Sequence, residues 1–361
     1  MRVIVVGGGV MGCATALALA DRGADVVLLE RAVPGAEASS AAAGILGAQV
    51  EAREHPELLD LFVRSRAEYA GWAEELRART GIDVGYRVSG GMRVAFSETD
   101  AQAIGREVSW QKARGLRAER VDGAGARAIE PCLSTEALAA AYYPDESQVD
   151  PPALLRALAA AVSRPTGNGG RTITVRTGTT VERLLVERDR CVGVALEVHE
   201  PSHAREERGD AVVLAAGSWS SLVRGVPAEL PTVRPARGQI VLLDERPPSV
   251  RTMLFGAGGY VVPRGDGRVL CGSTLELVGY RREVTAGGVH AILAGALTLA
   301  PALGAAPLAS TWSSFRPFLG DRAPLMGASP LAGLFLATGH HRNGILLAKT
   351  TADAVTRAIL D

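Results

Sequence analysis

The sequence has no excess of charge of either sign. Its 39 basic residues balance 39 acidic ones, so the formal net charge at pH 7 is +0. Proteins that bind nucleic acid or an anionic membrane through electrostatics carry a clearly basic surface. We therefore expect neither a nucleic acid nor a membrane as the main partner of this chain.

Cysteine is also scarce, and its spacing matters more than its number. The four cysteines are scattered, with no C-x-x-C pair and no histidine at metal-ligand spacing. The sequence therefore predicts no metal site and no disulfide framework. Cys13 and Cys191 fall in runs that predict a helix and a strand, so we expect both to be small core residues.

Long apolar runs are absent as well. No stretch approaches the roughly 18 apolar residues that a membrane span needs. The chain opens directly on a strand-like run, without the basic and apolar regions of a signal peptide. We therefore expect a cytoplasmic protein.

The N-terminus carries the pattern of a dinucleotide-binding unit. Residues 2–6 form a short β-branched apolar run, which is typical of a buried parallel strand. A G-x-G-x-x-G motif follows at Gly7, Gly9 and Gly12, and an Ala- and Leu-rich helical stretch from Cys13 comes next. The first glycine permits a tight turn, the second lets the backbone approach a pyrophosphate, and the third lets helix and strand pack closely.

Glu30 completes this unit at the end of a second predicted strand, residues 25–29. A carboxylate at this position accepts hydrogen bonds from the ribose hydroxyls of the nucleotide, and it disfavours a 2′-phosphate. The pattern thus predicts dinucleotide binding and argues against NADP. By itself it does not separate FAD from NAD.

Parallel-strand signals recur near residue 212 and near residue 335, with material typical of antiparallel strands between them. The predicted fold class is therefore α/β, with a Rossmann-like nucleotide-binding domain around a parallel central sheet and an inserted antiparallel-sheet domain for substrate. The nucleotide-binding domain is predicted to be discontinuous, over residues 1–85, 151–220 and 322–361. The substrate-binding domain is predicted over residues 86–150 and 221–321.

A run of small residues at positions 36–47 has two interpretations. Its composition is that of a flexible linker, but Ile45 and Leu46 are embedded in it, and small residues also let a backbone approach a ligand closely. The residues alone leave both open.

Several of these segments together resemble the D-amino-acid oxidase superfamily of FAD-dependent oxidoreductases, and most closely its glycine oxidase members. The matching stretches are residues 7–12 with Glu30, then 40–48, 89–92, 213–219, 260–264, 315–317 and 339–346. They extend over nearly the whole chain in the order that the family shows. The resemblance implies FAD as the cofactor and a part in thiamine biosynthesis.

The resemblance also implies which residues contact FAD. The implied set is Gly7, Gly9, Val10, Met11, Gly12, Glu30, Arg31, Ser39, Ser40, Ala43, Gly44, Ile45, Leu46, Val181, Gly217, Trp219, His340, His341, Arg342, Asn343, Gly344, Ile345 and Leu346. Ile45 and Leu46 would lie against the isoalloxazine ring, and the C-terminal segment would lead into a helix whose N-terminus stabilises charge on the reduced flavin. Sarcosine oxidases, which are relatives in this superfamily, tether their flavin through a cysteine in the C-terminal third. No cysteine follows Cys271 here, so the resemblance implies non-covalent FAD.

On the substrate side, the resemblance assigns the catalytic residues Tyr260, Arg316 and Arg342. Arg316 would hold the substrate carboxylate in a bidentate pair, Tyr260 would add a hydroxyl, and Arg342 would close the site. Without the family pattern, such an arginine would ordinarily be a solvated surface charge and Tyr260 a half-buried strand aromatic.

The implied reaction is oxidative deamination of glycine, sarcosine or a small D-amino acid by hydride transfer to flavin N5, with molecular oxygen as acceptor and hydrogen peroxide as product. The adjacent histidines His340 and His341 do not suggest a metal site, and no side chain need act as base. Family analogy suggests a homotetramer. Two alternatives remain: a dehydrogenase of the same fold that reduces a quinone or another acceptor, and a non-catalytic FAD-binding module.

Overall fold

The computed structural model describes residues 1–52, 56–164, 173–197 and 205–361 of the chain. The strands, in chain order, are β1 (Arg2–Val6), β2 (Asp25–Leu29), β3 (Ile45–Leu46), β4 (Arg87–Val88), β5 (Gly91–Ala95), β6 (Glu119–Asp122), β7 (Ala139–Tyr143), β8 (Ser147–Gln148), β9 (Thr174–Arg176), β10 (Val181–Glu187), β11 (Arg190–Leu196), β12 (Glu206–Arg208), β13 (Ala211–Leu214), β14 (Arg234–Asp244), β15 (Met253–Gly256), β16 (Gly259–Pro263), β17 (Arg268–Gly272), β18 (Leu308–Phe318), β19 (Leu325–Ala328) and β20 (Leu334–Thr338). The α-helices are α1 (Val10–Asp21), α2 (Ala38–Ala41), α3 (Ala48–Glu51), α4 (Leu59–Thr80), α5 (Glu98–Lys112), α6 (Gly123–Ile129), α7 (Pro151–Val162), α8 (Ala286–Leu299) and α9 (Ala348–Leu360). Short 3-10 turns lie at Pro56–Leu58, Gly217–Leu222, Pro301–Ala305 and His341–Asn343.

A six-stranded sheet forms the first of two structural centres, in the order β19-β20-β13-β1-β2-β9. Its strands pair in parallel except for β19, which is antiparallel to β20. Residues of β1 alternate between its two faces because successive side chains of a strand point in opposite directions. Val3 and Val5 join the core beneath α1, α4, α7 and α9, whereas Ile4 and Val6 pack toward the small sheet β10-β11-β12.

An eight-stranded sheet forms the second centre, in the order β18-β14-β17-β16-β15-β5-β7-β6. It is antiparallel apart from the parallel pair β15 and β5. Side chains from α8 pack on one face and side chains from α5 on the other. The predicted fold class, a parallel sheet with an added antiparallel one, is confirmed.

The predicted domain boundaries remain a proposal, which the distribution of strands supports. Every strand of the six-stranded sheet falls within residues 1–85, 151–220 and 322–361, and every strand of the eight-stranded sheet within 86–150 and 221–321. The short sheet β3-β8-β4 takes strands from both sets of ranges. It therefore links the two units that we propose.

Several predicted elements differ in extent from what is observed. Helix α1 begins at Val10, three residues earlier than the sequence predicts. The C-terminal helix begins only at Ala348, because the 3-10 turn His341–Asn343 precedes it. The linker interpretation of residues 36–47 is wrong, since this segment contains α2 and β3. Cys13 and Cys191 are fully buried, as predicted.

Neither a membrane-spanning helix nor a metal-binding cluster occurs among the described residues. Among those residues, no helix is both long enough and apolar enough to cross a bilayer. The same part of the chain contains no group of three or more histidine, cysteine, aspartate or glutamate side chains placed to bind a metal ion.

The contact between α1 and β1 depends on a glycine. A Cβ atom built at Gly12 would lie closer than 3.0 Å to the carbonyl oxygen of Gly7, and that backbone atom has no room to yield. Gly7 itself has a φ of +104°, a conformation that L side chains rarely adopt. Only glycine at both positions lets α1 start directly against the end of β1.

We predict that Gly12→Ala lowers the free energy of unfolding by about 2–3 kcal/mol, because the added methyl group forces α1 away from β1. The matched control is Gly71→Ala in α4, where an added Cβ meets nothing within 4 Å. That change should raise stability by about 0.5–1 kcal/mol, since alanine is the better helix former. Denaturant unfolding of both variants measures the contrast, and equal effects would contradict this account of the turn.

Candidate active site

A cavity of about 600 Å³ lies where the carboxyl ends of β1, β2 and β13 meet one edge of the eight-stranded sheet. This volume is within the range of small-molecule and cofactor sites. Open parallel sheets generally bind ligands outside the carboxyl ends of their strands. The cavity walls come from both sheets, so that a cofactor held by one unit would face residues of the other.

The glycine-rich turn and Glu30 form one end of this cavity. The two carboxylate oxygens of Glu30 accept hydrogen bonds from the backbone N–H groups of Gly8 and Ala32, at 2.6 and 2.8 Å. Glu30 is therefore held in place at the cavity wall. The first turn of α1 also lines the cavity, and the N–H of Val10 donates to the Ser39 hydroxyl at 3.0 Å. Free N–H groups and the positive end of a helix favour a bound anion there.

Charged and aromatic side chains close the same end. The Arg31 guanidinium lies 3.9 Å from the centre of the Trp219 ring, and Tyr280 stacks on that ring with centroids 5.5 Å apart. Glu37 accepts hydrogen bonds from both Arg31 and Arg282. Since Tyr280 and Arg282 belong to the loop between β17 and α8, this cluster fastens that loop to the nucleotide-binding side.

Buried donors hold the small-residue segment against the cavity. The indole N–H of Trp312 donates to the carbonyl oxygen of Ala41 at 2.9 Å, and Arg264 donates to that of Ala43 at 2.5 Å. Arg264 also donates to the side-chain oxygen of Gln148. Burial lowers the pKa of Arg264 to about 10, yet the side chain remains a cation at neutral pH. The small residues thus form an ordered wall that a flat ring can approach closely.

The segment before α9 supplies the opposite wall. His340 is fully enclosed, and burial lowers the pKa of its imidazole to about 3, so the ring is neutral at physiological pH. Its Nε2 atom shares a hydrogen bond with the Thr351 hydroxyl at 3.0 Å. Within the described ranges its Nδ1 atom is buried without a hydrogen-bond partner, as is the Ser314 hydroxyl. Both residues line the cavity, so both atoms are candidates to bind a ligand.

Arg316 and Tyr260 lie together at the other end of the cavity. The Arg316 guanidinium donates to the Ser273 hydroxyl at 2.7 Å and to the carbonyl oxygen of Thr274 at 3.1 Å. Tyr260 lies beside the same guanidinium, and desolvation lowers the pKa of Arg316 from its ordinary value. Arginine nevertheless stays charged in proteins. A half-buried cation beside a hydroxyl is suited to a carboxylate.

Glycines make room for both side chains. A Cβ atom at Gly238 would lie closer than 3.0 Å to the guanidinium of Arg316, and one at Gly272 would lie equally close to the ring of Tyr260. The positions of Arg316 and Tyr260 therefore depend on residues that carry no side chain.

Arg342 lines the cavity as well, and it pairs with a residue that the sequence did not single out. Its guanidinium donates to Glu51 at 2.8 Å. Glu51 is the last residue of α3 and is 8 % exposed. No sequence motif marks Glu51, because its place beside Arg342 follows only from where the short helix α3 lies.

Most of the residues expected to contact FAD or substrate do line the cavity. These are Gly7, Gly9, Val10, Met11, Glu30, Arg31, Ser39, Ala43, Gly44, Ile45, Val181, Gly217, Trp219, Tyr260, Arg316, His340, His341, Arg342, Asn343, Gly344 and Ile345. Their individual roles remain predictions.

Four expected residues lie elsewhere. Ile45 faces the cavity and Leu46 faces the core, since adjacent residues of β3 point in opposite directions. Leu346 is likewise in the core. Gly12 packs on Gly7, and Ser40 is turned away from the cavity wall that Ser39 forms. The contact of Leu46 with the isoalloxazine ring stays a prediction, although its side chain lies in the core.

The residues present fit FAD. The cavity joins a glycine-rich turn, a helix N-terminus and a fixed carboxylate, the set that binds a dinucleotide. It also offers an ordered wall of small residues and buried polar atoms of His340 and Ser314 that have no partner among the described residues. These features define a dinucleotide site in a cavity that Arg316 and Tyr260 also line.

Comparison with known proteins identifies the class. The chain matches the DAO family, described as FAD dependent oxidoreductase, over residues 2–358. The protein therefore belongs to this family, and FAD is its cofactor.

Individual relatives indicate a narrower group within this family. The chain is 36 % identical to the glycine oxidase of Geobacillus kaustophilus over 98 % of this chain and 93 % of that one. It is 33 % identical to the glycine oxidase of Pseudomonas aeruginosa over 96 % of this chain and 91 % of the relative. The crystal structure of the Geobacillus enzyme aligns with a TM-score of 0.90 at 34 % identity, covering 99 % of this chain and 95 % of the other. The resemblance to glycine oxidases is thus confirmed.

We predict that Gly238→Ala weakens carboxylate binding roughly 10- to 100-fold, because the methyl group displaces the guanidinium of Arg316 and its charged hydrogen bonds. Stability should change little, since the end of a long side chain can move aside. The measurement is the dissociation constant of acetate, from its perturbation of the flavin absorbance. The control is Gly287→Ala, where a Cβ meets nothing within 4 Å. Unchanged acetate binding in Gly238→Ala would show that the position of Arg316 does not depend on Gly238.

Proposed function

We propose that this protein oxidises glycine, or another small amino acid such as sarcosine or a D-amino acid, to an imine that hydrolyses to an oxo acid. For glycine, the overall reaction converts glycine, oxygen and water to glyoxylate, ammonia and hydrogen peroxide. One observation carries the proposal: the half-buried cation Arg316, with Tyr260 beside it, lines the same cavity as the glycine-rich turn. The glycine oxidase relatives support this choice of substrate.

Arg316 and Tyr260 would bind the substrate carboxylate and thereby orient the α-carbon. The guanidinium supplies charged donors at a place from which protein groups exclude water, so its interaction with a carboxylate is stronger than in solution. Holding a reactant in one orientation accounts for a large part of the rate in such reactions. FAD, when bound, supplies the two-electron acceptor that takes a hydride at N5.

No histidine base is needed in this proposal. The pKa of His340, lowered to about 3 by burial, makes this imidazole a poor acceptor for the proton of an ammonium group. The substrate would instead react as the neutral amine. Its rate should therefore rise with pH through the range in which the ammonium group of the bound substrate deprotonates.

We also propose that oxygen is the physiological acceptor, that FAD is bound non-covalently, that the protein takes part in thiamine biosynthesis, and that it forms a homotetramer. A cytoplasmic location is also proposed. The absence of charge excess and of a membrane-spanning helix among the described residues gives no reason to add a nucleic-acid or membrane partner.

The test of the proposed function is anaerobic addition of glycine to the FAD-loaded protein while the visible spectrum is recorded. Loss of the oxidised flavin bands, followed by peroxide release when air is admitted, is the expected result. Flavin bands that persist with glycine but vanish with sarcosine or D-alanine would show that the substrate is one of those two and not glycine. Reduction without peroxide would favour a dehydrogenase, and no reduction by any amino acid would favour a non-catalytic FAD-binding module.

We predict that Arg316→Ala raises the KM for glycine roughly 100-fold, because a charged hydrogen-bond pair with the carboxylate is lost. Arg316→Lys should recover only part of this loss, since an ammonium group cannot make the same bidentate contact. Steady-state kinetics measure both. The control is Arg322→Ala, an exposed arginine just after β18, and an unchanged KM in Arg316→Ala would remove Arg316 as the carboxylate-binding residue.

A further inference from the structure

Two groups that accept hydrogen bonds from Arg316 belong to the short segment that directly follows β17. The Ser273 hydroxyl and the carbonyl oxygen of Thr274 lie 2.7 and 3.1 Å from the guanidinium. The position of the half-buried Arg316 side chain therefore depends on this segment. Neither the sequence motifs nor the proposed reaction explains what holds the segment in place.

Glu276 fastens this segment to β14. Its carboxylate accepts hydrogen bonds from the Thr274 hydroxyl at 2.6 Å, from the Gln239 side-chain amide at 2.7 Å and from the Arg237 guanidinium. Its backbone also pairs with that of Arg237, through N–H···O bonds of 2.9 and 3.0 Å. The Thr274 hydroxyl in turn accepts a hydrogen bond from the backbone N–H of Gln239 at 3.0 Å. These contacts fix residues 274–276 along the strand.

The hydrogen bonds of Thr274 reach both faces of β14. Gln239 points to one face and Gly238 to the other, because successive side chains of a strand alternate. The Arg316 guanidinium lies on the face of Gly238, since a Cβ atom there would lie closer than 3.0 Å to it. Glu276 is bound on the face of Gln239 and is not among the described residues that line the cavity. Thr274 connects the two faces, with its carbonyl oxygen bonded to Arg316 and its hydroxyl to Glu276.

The carboxylate of Glu276 is stable as an anion in this position. Partial burial raises its pKa, but the hydrogen bonds from Arg237, Thr274 and Gln239 outweigh burial and hold the pKa of Glu276 at about 2. Arg237 is buried, so the pair is partly shielded from water. Charged hydrogen bonds of this kind are stronger than neutral ones. Glu276 therefore anchors Thr274 as a charged group throughout the neutral and alkaline range.

We propose that Glu276 is a positioning residue for the carboxylate-binding arginine and acts on Arg316 through Thr274. The proposal rests on the carboxylate-binding function proposed for Arg316. When the Thr274 hydroxyl loses its acceptor, the peptide that bonds to Arg316 is free to turn. The guanidinium then loses the orientation that two parallel hydrogen bonds with a carboxylate require. Carboxylate affinity should fall, although Glu276 lies outside the cavity lining.

The test measures the dissociation constant of acetate in the FAD-loaded protein, from the perturbation of the flavin absorbance. Glu276→Gln removes the charge and keeps the shape of the side chain, and acetate should bind about tenfold more weakly. The matched control is Glu283→Gln. Glu283 lies 3.6 Å from the same Arg237 guanidinium but is largely exposed, and the Thr274 hydroxyl donates to Glu276 instead. Acetate binding in this control should stay within about twofold of the parent.

Variants of Thr274 separate positioning from a general loss of stability. Thr274→Val keeps the branched shape but removes the hydroxyl, so acetate should again bind about tenfold more weakly, whereas Thr274→Ser should stay within about threefold of the parent. Because the two residues act in series, Thr274→Val/Glu276→Gln should lose about tenfold in affinity and not about 100-fold. The contrast between Thr274→Val and Thr274→Ser tests the same hydrogen bond if Glu276→Gln does not fold or does not retain FAD.

Arg316→Ala is measured beside these variants and keeps the result distinct from that of the proposed function. Weaker acetate binding in Arg316→Ala, with unchanged binding in Glu276→Gln and Thr274→Val, would overturn the role of Glu276 and leave the carboxylate-binding function intact. Unchanged acetate binding in Arg316→Ala would overturn both. A lower unfolding midpoint of Glu276→Gln with unchanged acetate affinity would show that Glu276 only stabilises the segment, which also overturns the proposal.

Discussion

The close approach of α1 to β1 is the constraint on which the site depends. Because Gly12 lies directly on the carbonyl of Gly7, the helix starts at the end of the strand, and its first turn lines the cavity. A helix displaced by even a methyl group would no longer present its N-terminal N–H groups there. Glu30, fixed by the N–H groups of Gly8 and Ala32, completes the same turn.

A second constraint acts from the other sheet. Burying a guanidinium removes it from water, which is costly unless its donors are satisfied. Arg316 meets this requirement in part through Ser273 and Thr274, and it has room to do so because Gly238 carries no side chain. Such an arrangement contributes little to stability compared with an apolar core. Its value lies in holding a cation ready for a ligand.

The sequence predicts best those features that depend on neighbouring residues alone. The unit β1-α1-β2 with Glu30 could be found because strand, turn and helix each have a local pattern, and the strand signal near residue 335 located β20 for the same reason. Family resemblance then located Arg316, Tyr260 and Arg342 at one cavity. The split between Ile45 and Leu46 could not be predicted, because it depends on which face of β3 packs on the core.

The sequence patterns did not predict contacts that join distant parts of the chain. Glu51 is the last residue of α3, and α3 is held by Glu146, about a hundred residues away. The cluster of Arg31, Glu37 and Arg282 likewise joins loops of the two units that no motif relates. These contacts arise from tertiary packing, which a pattern of adjacent residues does not encode.

The central claim is that a carboxylate binds to Arg316 and Tyr260 at the end of the FAD cavity. A crystal structure of the FAD-loaded protein with glycolate, an unreactive analogue of glycine that lacks the amine, tests it most directly. The account predicts both carboxylate oxygens within hydrogen-bond distance of the Arg316 guanidinium and one of them near the Tyr260 hydroxyl. A glycolate bound elsewhere, with Arg316 contacting only Ser273, Thr274 and Tyr260, would contradict it.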